Sequence, residues 1–362
     1  MSTVCFVNHD MSVVGGDKTI TVNLANELCK YHKVIIVSIC NRRGTLAYKL
    51  DDSITYINLG VDNKARLREK MMQTMIPILK IYRKHKVKVS FLEGNYCGFI
   101  GCMARFFTGT KLVFCDHGSF ASQADNQDIV TIRKMASKFC DKTIVLTQKS
   151  KEDYQAAFGL PDSKIDYIYN WIPSHLLEKE RQYDADSKTI LSVGRLDEEK
   201  GYDLLVKVAQ EFLAKHPDWE WHIYGTGDLD EELKTWICDA GLEKQIIMKG
   251  LQTDLEDAFS HASILVLPSY REGLPIVLLE AIAYEIPAVS FDIITGPREI
   301  LRDKENGYLI EPYDVKKMAD QIEYLIEHPE ERNRLSSNMK LDVDKFRKET
   351  ILKQWLELIE KC

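Results

Sequence analysis

Short apolar runs alternate with stretches of helical period from one end of the 362-residue chain to the other. In the first half the runs are VCFVN, KVIIVSI, TYINL, VKVSFLEG, KLVFCDH and KTIVLT. They are rich in β-branched and aromatic residues and too short for buried helices, so they predict strands. After KIDYIYNWIPSHL comes a polar stretch, EKERQYDADSK, and then the alternation restarts with KTILSVGRL, EWHIYG, QIIMKG, SILVLPS, IPAVSF and GYLI. Strand and helix patterns in alternation predict parallel α/β sheets, and the restart predicts two domains, residues 1–170 and 171–344. About six strands in each is the size of a doubly wound sheet, which receives ligands at the carboxyl ends of its strands. The closing segment DKFRKETILKQWLELIEKC carries Phe346, Ile351, Leu352, Trp355, Leu356 and Ile359 at helical spacing and predicts an amphipathic helix.

Length agrees with two domains, because 362 residues exceed what one hydrophobic core usually holds. No apolar run approaches the roughly 18 residues that span a bilayer, and MSTVCFVNHD reads as a strand and not as a signal peptide. A cytosolic protein is expected. The nine cysteines contain no C-x-x-C pair and predict no disulfide framework. Charge divides unevenly: residues 1–170 hold 24 Lys/Arg against 16 Asp/Glu, a net +8, while 171–362 hold 24 against 39, a net −15, giving the overall −7. The basic residues are densest in KARLREKMMQTMIPILKIYRKHKVK, residues 64–88, where nine cations surround an apolar pattern broken at Pro77. Two readings stay open there, a solvated surface helix or a helix touching an anionic membrane face. Nucleic acid is not an expected partner for an acidic chain without a recognised binding module.

Several loops carry candidate chemistry. In SYREGLPIVLLEAIAYEIP, Glu272 lies in a Gly/Pro turn after a strand, and Glu280 lies eight residues on, in an apolar helix. The free N–H groups at that helix start, Gly273, Leu274 and Pro275 leading into it, can hold an anion, and two separated carboxylates suit a hydroxyl-rich, phosphate-bridged ligand. The alternative is an ordinary α/β turn before a core helix. GRLDEEKG places Arg195 and Lys200 after another strand, where two cations could bracket a diphosphate or form a solvated turn. GTGD, with Gly225, opens a helix but lacks the rest of a dinucleotide fingerprint. Gly15-Gly16 precede a helix near the N-terminus and permit close backbone approach. His117 ends a strand beside Asp116 and Gly118, where a neutral imidazole can bond a sugar hydroxyl, and TGPREIL, residues 295–301, opens a further helix with Gly-Pro. Three D-x-D triplets lie in polar linkers or helix starts and read as chance, not as a metal site. Metalloprotease, P-loop and α/β-hydrolase signatures are absent.

Taken in order, GG before NLANEL, then DHG, YNWIP, GRLDEEKG, IYGTGDLDEELK and LPSYREGLPIVLLEAIA resemble the retaining GT-B glycosyltransferases of the large family 4, over nearly the whole chain. The resemblance implies two Rossmann-like domains facing a cleft, the first binding acceptor and completed by the closing helix 345–362, the second binding a nucleotide sugar. It implies metal-independent transfer with retention at the anomeric carbon and no cofactor beyond the UDP-sugar donor. Residue by residue, it matches Arg195 and Lys200 to a diphosphate-binding pair and Glu280 to the nucleoside ribose. Glu272 matches the acid at the donor sugar's hydroxyls, with Gly273, Leu274 and Pro275 bringing backbone groups to sugar and phosphate. Gly16 matches a glycine-loop contact, and His117 the histidine near the sugar's reactive face. Two departures stand out: Asp17-Lys18-Thr19 follow Gly15-Gly16 where relatives commonly read GGAER, and Tyr284-Glu285-Ile286 precede Pro287 where relatives carry a glycine. The expected function is transfer of a hexose or N-acetylhexosamine to a growing surface glycan, with a lipid-linked acceptor at the inner membrane leaflet. A sugar phosphorylase, a nucleotide-sugar epimerase or a non-catalytic binding subunit would use similar residues.

Overall fold

The structure, a computed structural model, describes all residues except 14, 42–45, 63–66, 180–182 and 253. The chain forms two compact units, Met1–Asn170 with Glu349–Cys362, and Trp171–Lys348. The first unit contains, in order, β1 (Thr3–Asp10), α1 (Gly16–Leu28), β2 (Lys33–Cys40), β3 (Thr55–Asn58), α2 (Leu67–His85), β4 (Val87–Glu93), α3 (Gly94–Ala104), β5 (Lys111–Asp116), α4 (Gln127–Phe139), β6 (Lys142–Val145), α5 (Gln148–Phe158) and β7 (Ile165–Tyr167). Its sheet has the order β3-β2-β1-β4-β5-β6-β7, and every pair is parallel. Helices cover both faces of such a sheet, which is why its central strands read as unbroken apolar runs. Val4, Cys5, Phe6 and Val7 in β1 and Ile35, Ile36 and Val37 in β2 are fully buried.

The second unit contains α6 (Ser174–Glu178), β8 (Thr189–Val193), α7 (Tyr202–Phe212), β9 (Glu220–Tyr224), α8 (Asp230–Asp239), β10 (Ile246–Gly250), α9 (Glu256–Ser260), β11 (Ile264–Leu267), α10 (Ile276–Tyr284), β12 (Ala288–Phe291), α11 (Pro297–Ile300), β13 (Gly307–Ile310), α12 (Val315–Glu327) and α13 (Pro329–Asn338). Its sheet, β10-β9-β8-β11-β12-β13, is also wholly parallel. In both sheets the strand order reverses beside the first strand, between β1 and β4 and between β8 and β11. Such switch points open a crevice at the strands' carboxyl ends.

All twelve apolar runs are strands. The seventh strand of the first sheet, β7, escapes the pattern because three residues inside KIDYIYN are too few to show a period. The break expected at Pro77 does not occur, and α2 runs through it. A proline deprives the carbonyl four residues earlier of its partner, and here that residue is Gln73, which is exposed, so water can satisfy the carbonyl. Residues 64–66 of the basic stretch lie outside the described residues. Side chains cap several helices, as where Thr147 accepts from Ser150 N at the start of α5. Glu285, at the position where the family resemblance leads one to expect glycine, takes a left-handed conformation with φ 60° at the end of α10, at a cost of roughly 1 kcal/mol, and pairs with Lys340.

The last helix, α14 (Lys348–Lys361), belongs from Glu349 onward to the first unit. Trp355 is buried there with its ring edge-on to Phe91 of β4, centroids 5.3 Å apart, and Phe91 stacks on Phe6 of β1 at 4.9 Å. Trp355→Ala should therefore cost about 3–5 kcal/mol. Urea unfolding checks this, and a loss below about 1 kcal/mol would mean that α14 contributes little to the first core.

Candidate functional site

The loop after β8 and the loop after β11 meet at the second sheet's switch point, and glycines make the meeting possible. Gly194 N donates to Tyr224 O (3.0 Å) and Leu196 N to Thr226 O (3.1 Å), lacing the β8 loop to the β9 loop. At Gly225, with φ 142°, a Cβ would stand 1.8 Å from Gly194 O. Only glycine fits there. The Asp197 side chain then accepts from Glu199 N (3.1 Å) and caps a single turn, residues 198–200. Gly201, with φ 67°, immediately precedes α7, and a Cβ on it would lie 2.1 Å from Pro268 O. Backbone bonds from Tyr270 N (2.8 Å) and Arg271 N (3.2 Å) to Glu199 O complete the splice between the two loops.

The splice brings Lys200 Nζ to 2.7 Å from Glu272 Oε1. Ser269 Oγ donates to the same oxygen at 2.8 Å, and Thr295 Oγ1 donates to the Glu272 carbonyl at 2.7 Å. The Glu272 side chain is only 7% exposed, while Lys200 keeps 26% of its surface open. Among the described residues Oε2 of Glu272 has no protein partner, so this oxygen is free to receive a hydroxyl. Gly296, with φ 100°, seats the 292–298 loop against Gly273 and Pro275: a Cβ would meet Pro275 Cδ at 2.7 Å and Gly273 O at 2.9 Å. Leu274 is buried, and Pro275 is the residue from which α10 starts.

Glu280 is the fifth residue of α10, one turn nearer the helix start than its spacing from Glu272 alone suggests. It is half-buried and makes no hydrogen bond or ion pair among the described residues. Burial pushes its carboxyl up to about 7. Arg195 is not joined to this group. Its guanidinium pairs with Asp197, and its side chain is 68% exposed.

In the first unit, His117 follows β5, and its Nε2 lies 2.5 Å from Glu93 Oε2 at the end of β4. The pairing follows from register, because Glu93 stands opposite Cys115 on the neighbouring strand. Burial of the imidazole works against its charge, but the bond and charge of Glu93, with Asp17 and Asp116 nearby, outweigh it and raise its pKa above the ordinary value. Its Nδ1 is buried and has no hydrogen-bond partner among the described residues. The turn that carries it is pinned by Asp116, which pairs with fully buried Arg133 (2.7 Å), accepts from Tyr154 OH (2.6 Å) and accepts from Gly118 N (3.1 Å). Gly16 is the first residue of α1, behind Gly15, whose N donates to Tyr48 OH at 2.8 Å. Glu93 and Ser269 were not singled out by sequence. The only signal for Glu93 is a carboxylate followed by glycine at a strand end. The D-x-D triplets do not gather with other ligands; among the described residues the group with metal-ligand spacing is His216, Glu323 and Glu327, where Lys215 already bonds Glu323 at 2.9 Å.

Two family models cover these units. The model for Glycosyltransferase Family 4 matches residues 14–175, and that for Glycosyl transferases group 1 matches residues 176–342. The fold agrees with HepE from Anabaena, solved with UDP and glucose, at a TM-score of 0.86 and 18% identity over 99% of both chains. The chain belongs to the GT-B glycosyltransferases. An uncharacterised glycosyltransferase of Haemophilus influenzae is 28% identical to it across 98% of this chain and 99% of its own length. The UDP-Gal:α-D-GlcNAc-diphosphoundecaprenol α-1,3-galactosyltransferase of Escherichia coli is 25% identical across 82% of this chain and 81% of its own. Among the described residues no helix is long and apolar enough to cross a membrane.

Two titrations probe this geometry. Glu93→Gln removes the charge that holds up the His117 pKa and leaves its burial, so the imidazole should titrate below its ordinary 6.5; an unchanged NMR titration would dissolve the pair. Glu280 holds a proton in the folded enzyme at pH values where the unfolded chain has released it. It therefore lowers stability as pH climbs from 4.5 towards about 7, with no further loss above. Glu280→Gln should abolish that component, up to roughly 3 kcal/mol, when urea unfolding is compared at about pH 5 and about pH 8.

Proposed function

We propose that the enzyme moves a hexose or N-acetylhexosamine from a UDP-sugar to a glycan acceptor carried on a lipid, with retention at the anomeric carbon and without a metal, in surface polysaccharide synthesis at the cytoplasmic face of the membrane. The Lys200–Glu272 pair at the strand-end switch point carries this reading. It offers, side by side, a cation for the departing diphosphate and an open carboxylate oxygen for sugar hydroxyls. Glu280, unpartnered and half-buried in the next helix, is the group we assign to the ribose. The backbone of Gly273 and Leu274 at the α10 start would meet the phosphate and sugar. Gly225 keeps the loop of Gly194 and Arg195 in place, and Arg195 would have to leave Asp197 to reach a diphosphate. His117 and Gly16 are proposed for the same reaction from the first unit.

The E. coli relative supports a UDP-linked donor and a diphospholipid acceptor, and its name specifies an α linkage. In the proposed step the bond from C1 of the sugar to the diphosphate breaks, and the acceptor oxygen bonds C1 on the same face. The acceptor's proton passes to the departing phosphate oxygen, leaving UDP and the glycosylated acceptor. Negative charge building on the diphosphate is met by Lys200.

Incubation with a panel of nucleotide sugars and a membrane lipid extract, read by mass, tests the reading. A UDP-sugar should be consumed and a lipid-linked glycan should gain one sugar, in α linkage by NMR. Lys200→Ala and Glu280→Ala should each lower transfer by at least about 100-fold while thermal unfolding shows an intact fold. Normal transfer in either would sink the site assignment. Turnover without acceptor would instead reveal an epimerase or hydrolase, phosphate dependence a phosphorylase, and donor binding without turnover a non-catalytic subunit.

A further inference from the structure

The first unit leaves large apolar side chains in solvent: Phe106 is 69% exposed, Phe107 54% and Met103 36%. Their position follows from topology. In a parallel sheet, the helix before a strand ends where that strand begins, so α2, α3 and α4 all finish at the edge from which β4, β5 and β6 start. Met103 lies in the last turn of α3, and Phe106 and Phe107 follow it on the way to β5. Phe106 meets Phe139, the last residue of α4, with centroids 5.8 Å apart, and Lys138 Nζ stands 5.8 Å from the Phe139 ring.

Cations crowd this edge. Arg83 and Lys84 are exposed in the last turn of α2, Lys86 and Lys88 begin β4, Lys111 begins β5, and Lys138 and Lys142 flank the start of β6. Acids stand here too, but they are paired: Asp141 with Arg105 (3.2 Å) and Lys111 (3.4 Å), and Asp162 and Asp166, near Lys142, with Lys151 (3.0 and 3.5 Å). An aromatic pair surrounded by cations complements a surface that is apolar beneath and anionic at its face. Each cation near such a surface contributes on the order of 1 kcal/mol.

We propose that the strand-start edge of the first unit docks on anionic phospholipid, with Phe106 and Phe107 entering the headgroup layer. This deepens the lipid-linked reading by naming the surface, and it divides the stretch 64–88. That stretch lends Arg83 and Lys84, whereas Ile78, Ile81 and Tyr82 face the core. Glu93 and His117 lie at the opposite edge, a strand's length of roughly 20 Å away. A docked enzyme therefore works on acceptor ends that stand off the bilayer.

Flotation of the full-length protein with phosphatidylcholine vesicles, with and without phosphatidylglycerol, tests docking without needing transfer activity, so its failure is distinct from failure of the donor assignment. Wild type should float only with the anionic vesicles and be released by high salt. The pair Phe106→Ser with Phe107→Ser should weaken binding roughly tenfold or more, as should Arg83→Glu with Lys84→Glu and Lys138→Glu, with unchanged thermal unfolding. Met72→Ser with Ile76→Ser, on the exposed mid-face of α2, should leave binding intact. The proposal is overturned if wild type ignores anionic vesicles, if the Phe106/Phe107 variant binds undiminished, or if these two residues instead hold two copies of the chain together on gel filtration.

Discussion

A carboxylate almost wholly withdrawn from water keeps its charge only where cations and hydroxyls replace the lost solvent. Glu272 meets that condition through Lys200 and Ser269. The demand propagates outward. Lys200 reaches Glu272 because the turn of residues 198–200 is spliced to the β11 loop, and the splice needs Gly201 where any Cβ would strike Pro268 O. That turn is in turn held by the β8 loop lying flat on the β9 loop, where Gly225 leaves no room for a side chain. Gly201 and Gly225 thus belong to the same constraint as the charged pair.

His117 offers a parallel case with different chemistry. Its partner Glu93 comes from the adjacent strand, and the turn between Asp116 and Ser119 is fixed by a fully buried arginine. One unit presents a carboxylate held by a lysine, and the other an imidazole held by a carboxylate. In each, one polar atom has no hydrogen-bond partner among the described residues, Oε2 of Glu272 and Nδ1 of His117.

Much of this was legible in the chain. Continuous apolar runs between helical patterns gave the two parallel sheets, because strands covered on both faces have no polar side to confuse the pattern. Loops ending in glycine located Lys200, Glu272 and His117. Glu93 was hidden because its importance depends on which strand lies beside β4, and no local spacing reveals that. The pairing of Arg195 with Asp197 two residues on was not legible either, because a loop cation's partner is set by the loop's backbone path and not by spacing. The exposure of Phe106 and Phe107 was hidden too, since it is a property of where α3 ends and not of the residues themselves.

The central claim is that Lys200 and Glu272 act as one unit towards the donor. A double-mutant cycle of Lys200→Met and Glu272→Gln, read on UDP-sugar affinity by calorimetry, measures that directly. The account predicts a coupling energy of at least about 1.5 kcal/mol, whereas effects that add within about 0.5 kcal/mol would contradict it.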